Sequence, residues 1–195
     1  RLFSEYEYTG DLLTKITTGS TAYSFTYGAY DQCSSVKVGN RTLATYSYTN
    51  DRNYYLQSLV YGNEDSVQYD YDDHGRVTRH TYEDGDTVTY QYDNNGALAT
   101  VTDSAIGIKT TYYYDFTDRM MKYVESGNNY THSVGYEYDD INNLTKLVET
   151  INGTEYTTSY AYDEDNRITS ITSNGITKTN TYDSFGRVSQ QQTKN

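Results

Sequence analysis

Tyrosine returns along this chain on a fixed beat, and that beat limits what the chain can fold into. Val88, Tyr90 and Tyr92 alternate as residues on one face of a β-strand do. Asp93-Asn94-Asn95-Gly96 then clusters turn formers, and Leu98 and Val101 open a second strand. With the second tyrosine as position zero, the frame recurs at Tyr8, Tyr27, Tyr48, Tyr71, Tyr92, Tyr114, Tyr138, Tyr162 and Tyr182. The steps between them are 19, 21, 23, 21, 22, 24, 24 and 20 residues. A period near 22 in a chain of 195 residues is the mark of a tandem array, each unit burying its surface against its neighbours.

Each unit carries a second punctuation mark, a glycine at 19, 39, 62, 85, 107, 127, 153 or 175. Asp84-Gly85, Ser126-Gly127, Asn152-Gly153 and Asn174-Gly175 are hairpin-type pairs in which positive φ is easily adopted. Two turns per unit imply two strands per unit. The expected fold is all-β: an antiparallel meander of sixteen to eighteen short strands, forming a curved open sheet or partial β-shell. The array is expected to span residues 1–195 as a single body of eight to nine units, those before Tyr46 being degenerate. It starts and stops within a repeat, which suggests a piece of a longer polypeptide.

Leu, Ile, Val and Phe make up only 32 of 195 residues and the net charge is -12, values that by themselves would point towards disorder. Against that, the chain has no proline and 26 tyrosines, each a large apolar ring with a polar tip suited to a half-wet surface. Tyrosine takes the place of the aliphatic core. The acidic balance, with a pI near 4.5, argues against nucleic acid as a partner, since phosphate binding needs clustered Lys and Arg. No apolar run approaches the ~18 residues of a membrane span.

Within the motif, the residue after the frame tyrosine is Asp72, Asp93, Asp115, Asp139, Asp163 or Asp183, a short carboxylate able to accept backbone N–H bonds and fix a turn. Position four is Gly75, Gly96 or Gly186 in some units and Asp118, Asn142 or Asn166 in others, residue types that tolerate the left-handed conformation. Position five is Arg76, Arg119, Arg167 or Arg187, which can bridge to the aspartate of its own or a neighbouring unit. The apolar pair at positions six and nine has an odd spacing. Either both faces of the sheet are partly covered or each unit contains a bulge.

The residues offer little to catalysis, and the chain is read as no enzyme. His74, His80 and His132 do not recur in register and stand at no metal-ligand spacing, and there is no nucleophile elbow or phosphate loop. No cofactor or metal site is expected. Cys33 cannot form an internal disulfide, and at position six it reads as a small hydrophobe. Tyrosines outside the frame, Tyr30, Tyr54, Tyr55 and Tyr130, are candidates for a ligand platform on which sugar rings could stack.

The string Tyr-Asp-x-x-Gly-Arg-Val, at Tyr71 to Val77 and Tyr182 to Val188 and decayed between them, resembles the YD repeats of the RHS family. That family includes bacterial polymorphic toxins, wall-associated proteins, the shell subunits of insecticidal toxin complexes, and teneurins. The resemblance covers essentially the whole chain and implies a wide sheet, one hairpin per repeat, spiralling into a hollow shell that in the toxins encloses a C-terminal effector. It implies an extracellular, secreted or surface-associated setting, with flanking repeats and an enclosed effector domain as partners, and an association with carbohydrate. The chain departs from complete members: the Pro-rich core segment, the self-cleaving aspartyl site and an effector domain are not in this sequence. Two functions from different classes follow, a structural segment of shell and a carbohydrate-binding surface made of tyrosine rows. Open edge strands add the expectation of self-association, or of cover by flanking sequence.

Overall fold

In a computed structural model, which describes Phe3–Asn195, the tyrosine beat becomes a series of antiparallel hairpins without helices among the described residues. Arg1 and Leu2, the first residues assigned to the array, lie outside the described residues. The chain divides into two compact units, one ending at Tyr90 and the other Gln91–Asn195.

In the first unit the strands are β1 (Ser4–Thr9), β2 (Leu12–Thr18), β3 (Thr21–Tyr27), β4 (Cys33–Val38), β5 (Arg41–Tyr48), β6 (Leu56–Tyr61), β7 (Ser66–Tyr71), β8 (Val77–Tyr82) and β9 (Thr87–Tyr92), the unit boundary falling inside β9. Each pairs antiparallel with the next, from β1 with β2 to β8 with β9. In the second unit they are β10 (Leu98–Asp103), β11 (Ile108–Tyr114), β12 (Met120–Gly127), β13 (Tyr130–Tyr138), β14 (Leu144–Ile151), β15 (Thr154–Tyr162), β16 (Ile168–Ser173), β17 (Ile176–Tyr182) and β18 (Val188–Lys194). These too pair in sequence order. The eighteen strands are the two per unit that the paired turns imply.

The odd spacing of the apolar pair is resolved by a bulge. Tyr112 faces Tyr123 and Tyr113 faces Lys122, but Tyr114 faces Met120, so Met121 is an extra residue with no partner opposite. The same shift falls just before the frame tyrosine in the other units for which pairing is seen, at Glu7/Tyr8, Thr26/Tyr27, Ser47/Tyr48, Asp70/Tyr71, Glu137/Tyr138, Ala161/Tyr162 and Thr181/Tyr182. One extra residue restores the parity, so positions six and nine share a face with the frame tyrosine.

Two chemically different faces result. On one, aromatic and aliphatic residues oppose each other across the strands: Tyr46 and Leu59, Tyr136 and Leu147, Tyr160 and Ile171. On the other, polar partners meet: Glu7 and Lys15 at 2.7 Å, Asp70 and Arg79 at 2.6 Å, Glu137 and Lys146 at 2.9 Å, with Thr26 and Ser35 hydroxyls at 2.7 Å. Burial is shallow throughout. Ala44, Val67 and Val134 are the buried hydrophobic residues, and no described side chain is fully enclosed.

The second set of turns is mixed. Asn152 and Gly153, and Asn174 and Gly175, both have positive φ, as a type I′ hairpin demands. Gly127, expected to do the same, does not: Asn129 takes the positive φ, and a Cβ on Gly127 would stand 3.0 Å from the Gly107 carbonyl oxygen. Glycine there serves close approach rather than backbone freedom.

Candidate functional site

The motif residues build one loop, repeated. In the Asp163 copy the backbone N–H of Asp163 donates to the Arg167 carbonyl at 3.0 Å, and the Asn166 N–H returns to the Asp163 carbonyl at 3.0 Å. The carboxylate fills the loop from inside: Oδ1 accepts the N–H groups of Asp165 and Arg167 at 3.0 and 2.9 Å, while Oδ2 accepts Arg167 Nε at 2.8 Å. Asp72 with Arg76, Asp115 with Arg119, and Asp183 with Arg187 repeat the arrangement. Asp139 makes it with Asn143, whose side chain replaces the guanidinium, and Asp93 accepts the N–H groups of Asn95 and Ala97. Position four has positive φ in all six: Gly75, Gly96, Asp118, Asn142, Asn166 and Gly186.

These bonds favour the charged carboxylate. The Arg167 side chain, followed by its backbone N–H, holds Asp163 below the usual carboxylate range. In Asp115 the Thr117 hydroxyl is the largest cause of a still lower value, and in Asp72 and Asp183 the arginine backbone N–H leads.

In seven units the frame tyrosine links its hairpin to the one before it. Its hydroxyl donates to the backbone carbonyl of position six in the preceding repeat, or position five in the shortened first one: Tyr27 to Leu13 at 2.7 Å, Tyr114 to Leu98 at 3.0 Å, Tyr138 to Met120 at 3.0 Å, Tyr162 to Leu144 at 2.8 Å and Tyr182 to Ile168 at 2.7 Å. Tyr48 does the same to Cys33 at 2.9 Å, and Tyr71 at 2.8 Å to Leu56, which stands at position eight because of the insertion in that unit. Two arginines also cross between repeats, Arg119 lying 4.9 Å from the Tyr138 ring centre and Arg167 4.7 Å from that of Tyr182. Arg119 further donates to the Asn142 side chain, in the next turn of the motif. Asp and Arg therefore spend their bonding within and between turns.

Of the proposed platform residues, Tyr30 and Tyr54 come together, with ring centres 4.1 Å apart. The Tyr30 hydroxyl bonding to it is the largest cause of a Tyr54 pKa of about 12. Tyr55 instead stacks on Tyr71 at 4.8 Å, over the Gly75 turn. Tyr130 belongs to the second unit and reaches Glu125 at 3.4 Å.

Two histidines stand on the aromatic face. His80 lies between the rings of Tyr69 and Tyr90, at 4.8 and 5.2 Å, and burial lowers its pKa. His132 bridges Glu125, 3.1 Å from Nδ1, and Glu149, 2.9 Å from Nε2; these two bonds raise its pKa against a smaller effect of burial. No group of three or more His, Cys, Asp or Glu among the described residues is placed to hold a metal ion.

A hairpin with a fixed bulge, a carboxylate-filled turn and a tyrosine bond to the preceding repeat defines a tandem β-hairpin repeat protein. Residues 71–105 and 138–177 match the RHS Repeat family, which supports the likeness of these hairpins to RHS/YD repeats. Comparison with curated protein sequences gives no match. Among solved structures, the Tc holotoxin pore of Photorhabdus luminescens, in a mutant form, matches with a TM-score of 0.74 and 14% identity over 96% of this chain. The TcdB2-TccC3-Cdc42 and TcdB2-TccC3 crystal structures match with a TM-score of 0.75 each, at 14% and 13% identity, over 97% of this chain. At such identities the likeness is one of fold. This chain spans 12% of the length of each of those chains.

Proposed function

We propose that the chain is a non-catalytic stretch of RHS/YD-repeat wall in an extracellular protein, and that the wall encloses or displays another domain of its parent chain. The observation that carries this reading is the aromatic face. A globular domain covers the apolar face of a sheet with a second layer, yet here the largest side chains on that face stay half-exposed and none is fully enclosed among the described residues. A face of tyrosines, apolar in the ring and polar at the tip, suits the inner surface of a cavity whose contents touch it without packing densely.

Three further observations support the reading. Asp and Arg of the motif are occupied in holding turns and joining repeats, which leaves a scaffold rather than a reaction site. Every residue of β1 and β18 is exposed, as strands awaiting flanking repeats would be. The matched solved structures are described as a Tc holotoxin pore and as TcdB2-TccC3, and this chain's fold corresponds to part of them. Electron microscopy of the parent polypeptide tests the proposal: a hollow shell with density inside, or a curved wall carrying a separate domain, supports it, and a solid rod or a ribbon with no further domain against it overturns it.

A further inference from the structure

We propose that the cleft between Tyr61 and Tyr82, in the first unit, binds a quaternary ammonium group. Tyr61 ends β6 and Tyr82 ends β8, with β7 running between them. On β7, Val67 faces Leu59 on one side and Tyr82 on the other, so strand alternation puts Tyr61, Val67 and Tyr82 on one face. Together with Asp65, Glu83 and Asp84 they line a cavity of about 640 Å³, within the roughly 300–1,000 Å³ of small-ligand sites. Its floor is closed and its walls are open: Val67 is 9% exposed, against 46% for Tyr61 and 40% for Tyr82.

The strand spacing sets what fits. Tyr61 and Tyr82 are rooted on alternate strands, about 9.6 Å apart across the sheet and two residues out of register, so about 11.8 Å apart in all, and a group midway between them lies about 5.9 Å from each root. That is inside the ~6 Å within which a cation is attracted to an aromatic face. Both tyrosines line this space, one from each strand flanking β7.

The charge selects the ligand. Asp65, Glu83 and Asp84 surround the rings and no Lys or Arg lines the cavity. The Asn63 amide at 2.5 Å fixes Asp65, and the Asp86 N–H at 3.0 Å fixes Asp84. The carboxylates are not arranged as a metal site among the described residues, and a neutral sugar could stack on the rings and donate hydroxyls to the carboxylates but would leave their negative charge uncompensated. A large, weakly hydrated organic cation satisfies both. Nor does the fold require the pair, because the place that Tyr82 occupies in its unit holds Asp103, Glu125, Glu149 or Ser173 in later ones.

The test is calorimetric titration of the whole chain with choline, with its neutral isostere 3,3-dimethyl-1-butanol, and with phosphocholine. Choline is expected to bind and the isostere to bind at least about threefold more weakly. Tyr82→Leu and Tyr61→Leu should each weaken choline about two- to fivefold, while Tyr61→Phe retains it. Glu83→Gln, which removes charge without touching a ring, should weaken it roughly twofold. Phosphocholine as tight as choline supports the site with a lipid headgroup as the source, and weaker phosphocholine supports it with a free or peptide-borne cation. Equal affinity for choline and the isostere, no binding of choline, or unchanged binding in Glu83→Gln and in leucine variants with wild-type melting would overturn it.

Discussion

The hydroxyl of Tyr162 donates to the carbonyl oxygen of Leu144 at 2.8 Å, eighteen residues back in the chain. The same bond is made by Tyr27, Tyr48, Tyr71, Tyr114, Tyr138 and Tyr182, and it accounts for tyrosine at position zero in those units. Tyr162→Phe keeps the ring and deletes the donor, and is expected to cost about 1 kcal/mol in urea unfolding. Tyr162→Ala should cost more, yet less than the roughly 3–5 kcal/mol of a fully buried aromatic, because the ring is only half-buried. A phenylalanine variant as stable as the parent would show that the carbonyl finds water instead.

The period and the two turns per unit made the hairpins legible, because a strand alternates its faces and a turn restricts its residues. The face assignment was not legible. The bulged residue is Ser34, Gln57, Thr78, Met121, Thr145, Thr169 or Ser189 in different units, so no residue type marks it. The tyrosine bond was hidden for another reason, since its acceptor is a backbone carbonyl without a signature. A signal did exist: position zero is Tyr in every unit, whereas two places earlier the chain accepts Phe25 and Asn180. Phenylalanine supplies a ring there, so the strictness at zero belongs to the hydroxyl. Tyr55 was misleading, since an off-frame tyrosine looks free until the stack on Tyr71 is seen.

Acid should loosen the motif turns. Asp163 has its folded pKa lowered, by the Arg167 side chain first and then its backbone N–H. A carboxylate depressed on folding contributes stability that is present above its unfolded pKa, about 3.9, and is lost as pH falls through the folded value. Asp72, Asp115 and Asp183 are shifted the same way. The melting temperature is therefore expected to fall steeply below about pH 4. Asp163→Asn should melt lower at neutral pH and show a shallower acid slope in scanning calorimetry.

His132 gives the opposite sign. Its bonds to Glu125 and Glu149 raise its folded pKa, so its stabilisation is complete below the unfolded value of about 6.5 and is lost as pH rises through the folded one. Glu125 and Tyr123 on β12, Tyr130 on β13 and Glu149 on β14 are the titratable groups recorded around it. The expected result is a melting temperature that declines as pH rises above about 6.5, a decline absent in His132→Gln. Proton NMR of the ring, giving a midpoint at or below the ordinary histidine value, would contradict it.

Gly75 and Gly85 separate two costs of adding a side chain. Both have positive φ, +78° and +91°, so alanine at either should cost about 1–2 kcal/mol for the left-handed backbone alone. A Cβ on Gly85 meets nothing within 4 Å, whereas one on Gly75 would stand 2.1 Å from the Tyr55 hydroxyl oxygen and 2.6 Å from Cζ. Tyr55 cannot yield cheaply, because its ring is stacked on Tyr71 with 4.8 Å between centres and 24° between planes. Gly75→Ala should accordingly cost more than Gly85→Ala. Tyr55→Ala should also destabilise, through loss of the stack, but the Tyr55→Ala/Gly75→Ala double variant should cost less than the two single changes summed, since the clash is gone once the ring is. Urea unfolding of the four proteins measures that coupling. Strict additivity, with Gly75→Ala no worse than Gly85→Ala, would mean that the Tyr55 ring swings aside freely and that the stack on Tyr71 contributes nothing to holding the turn.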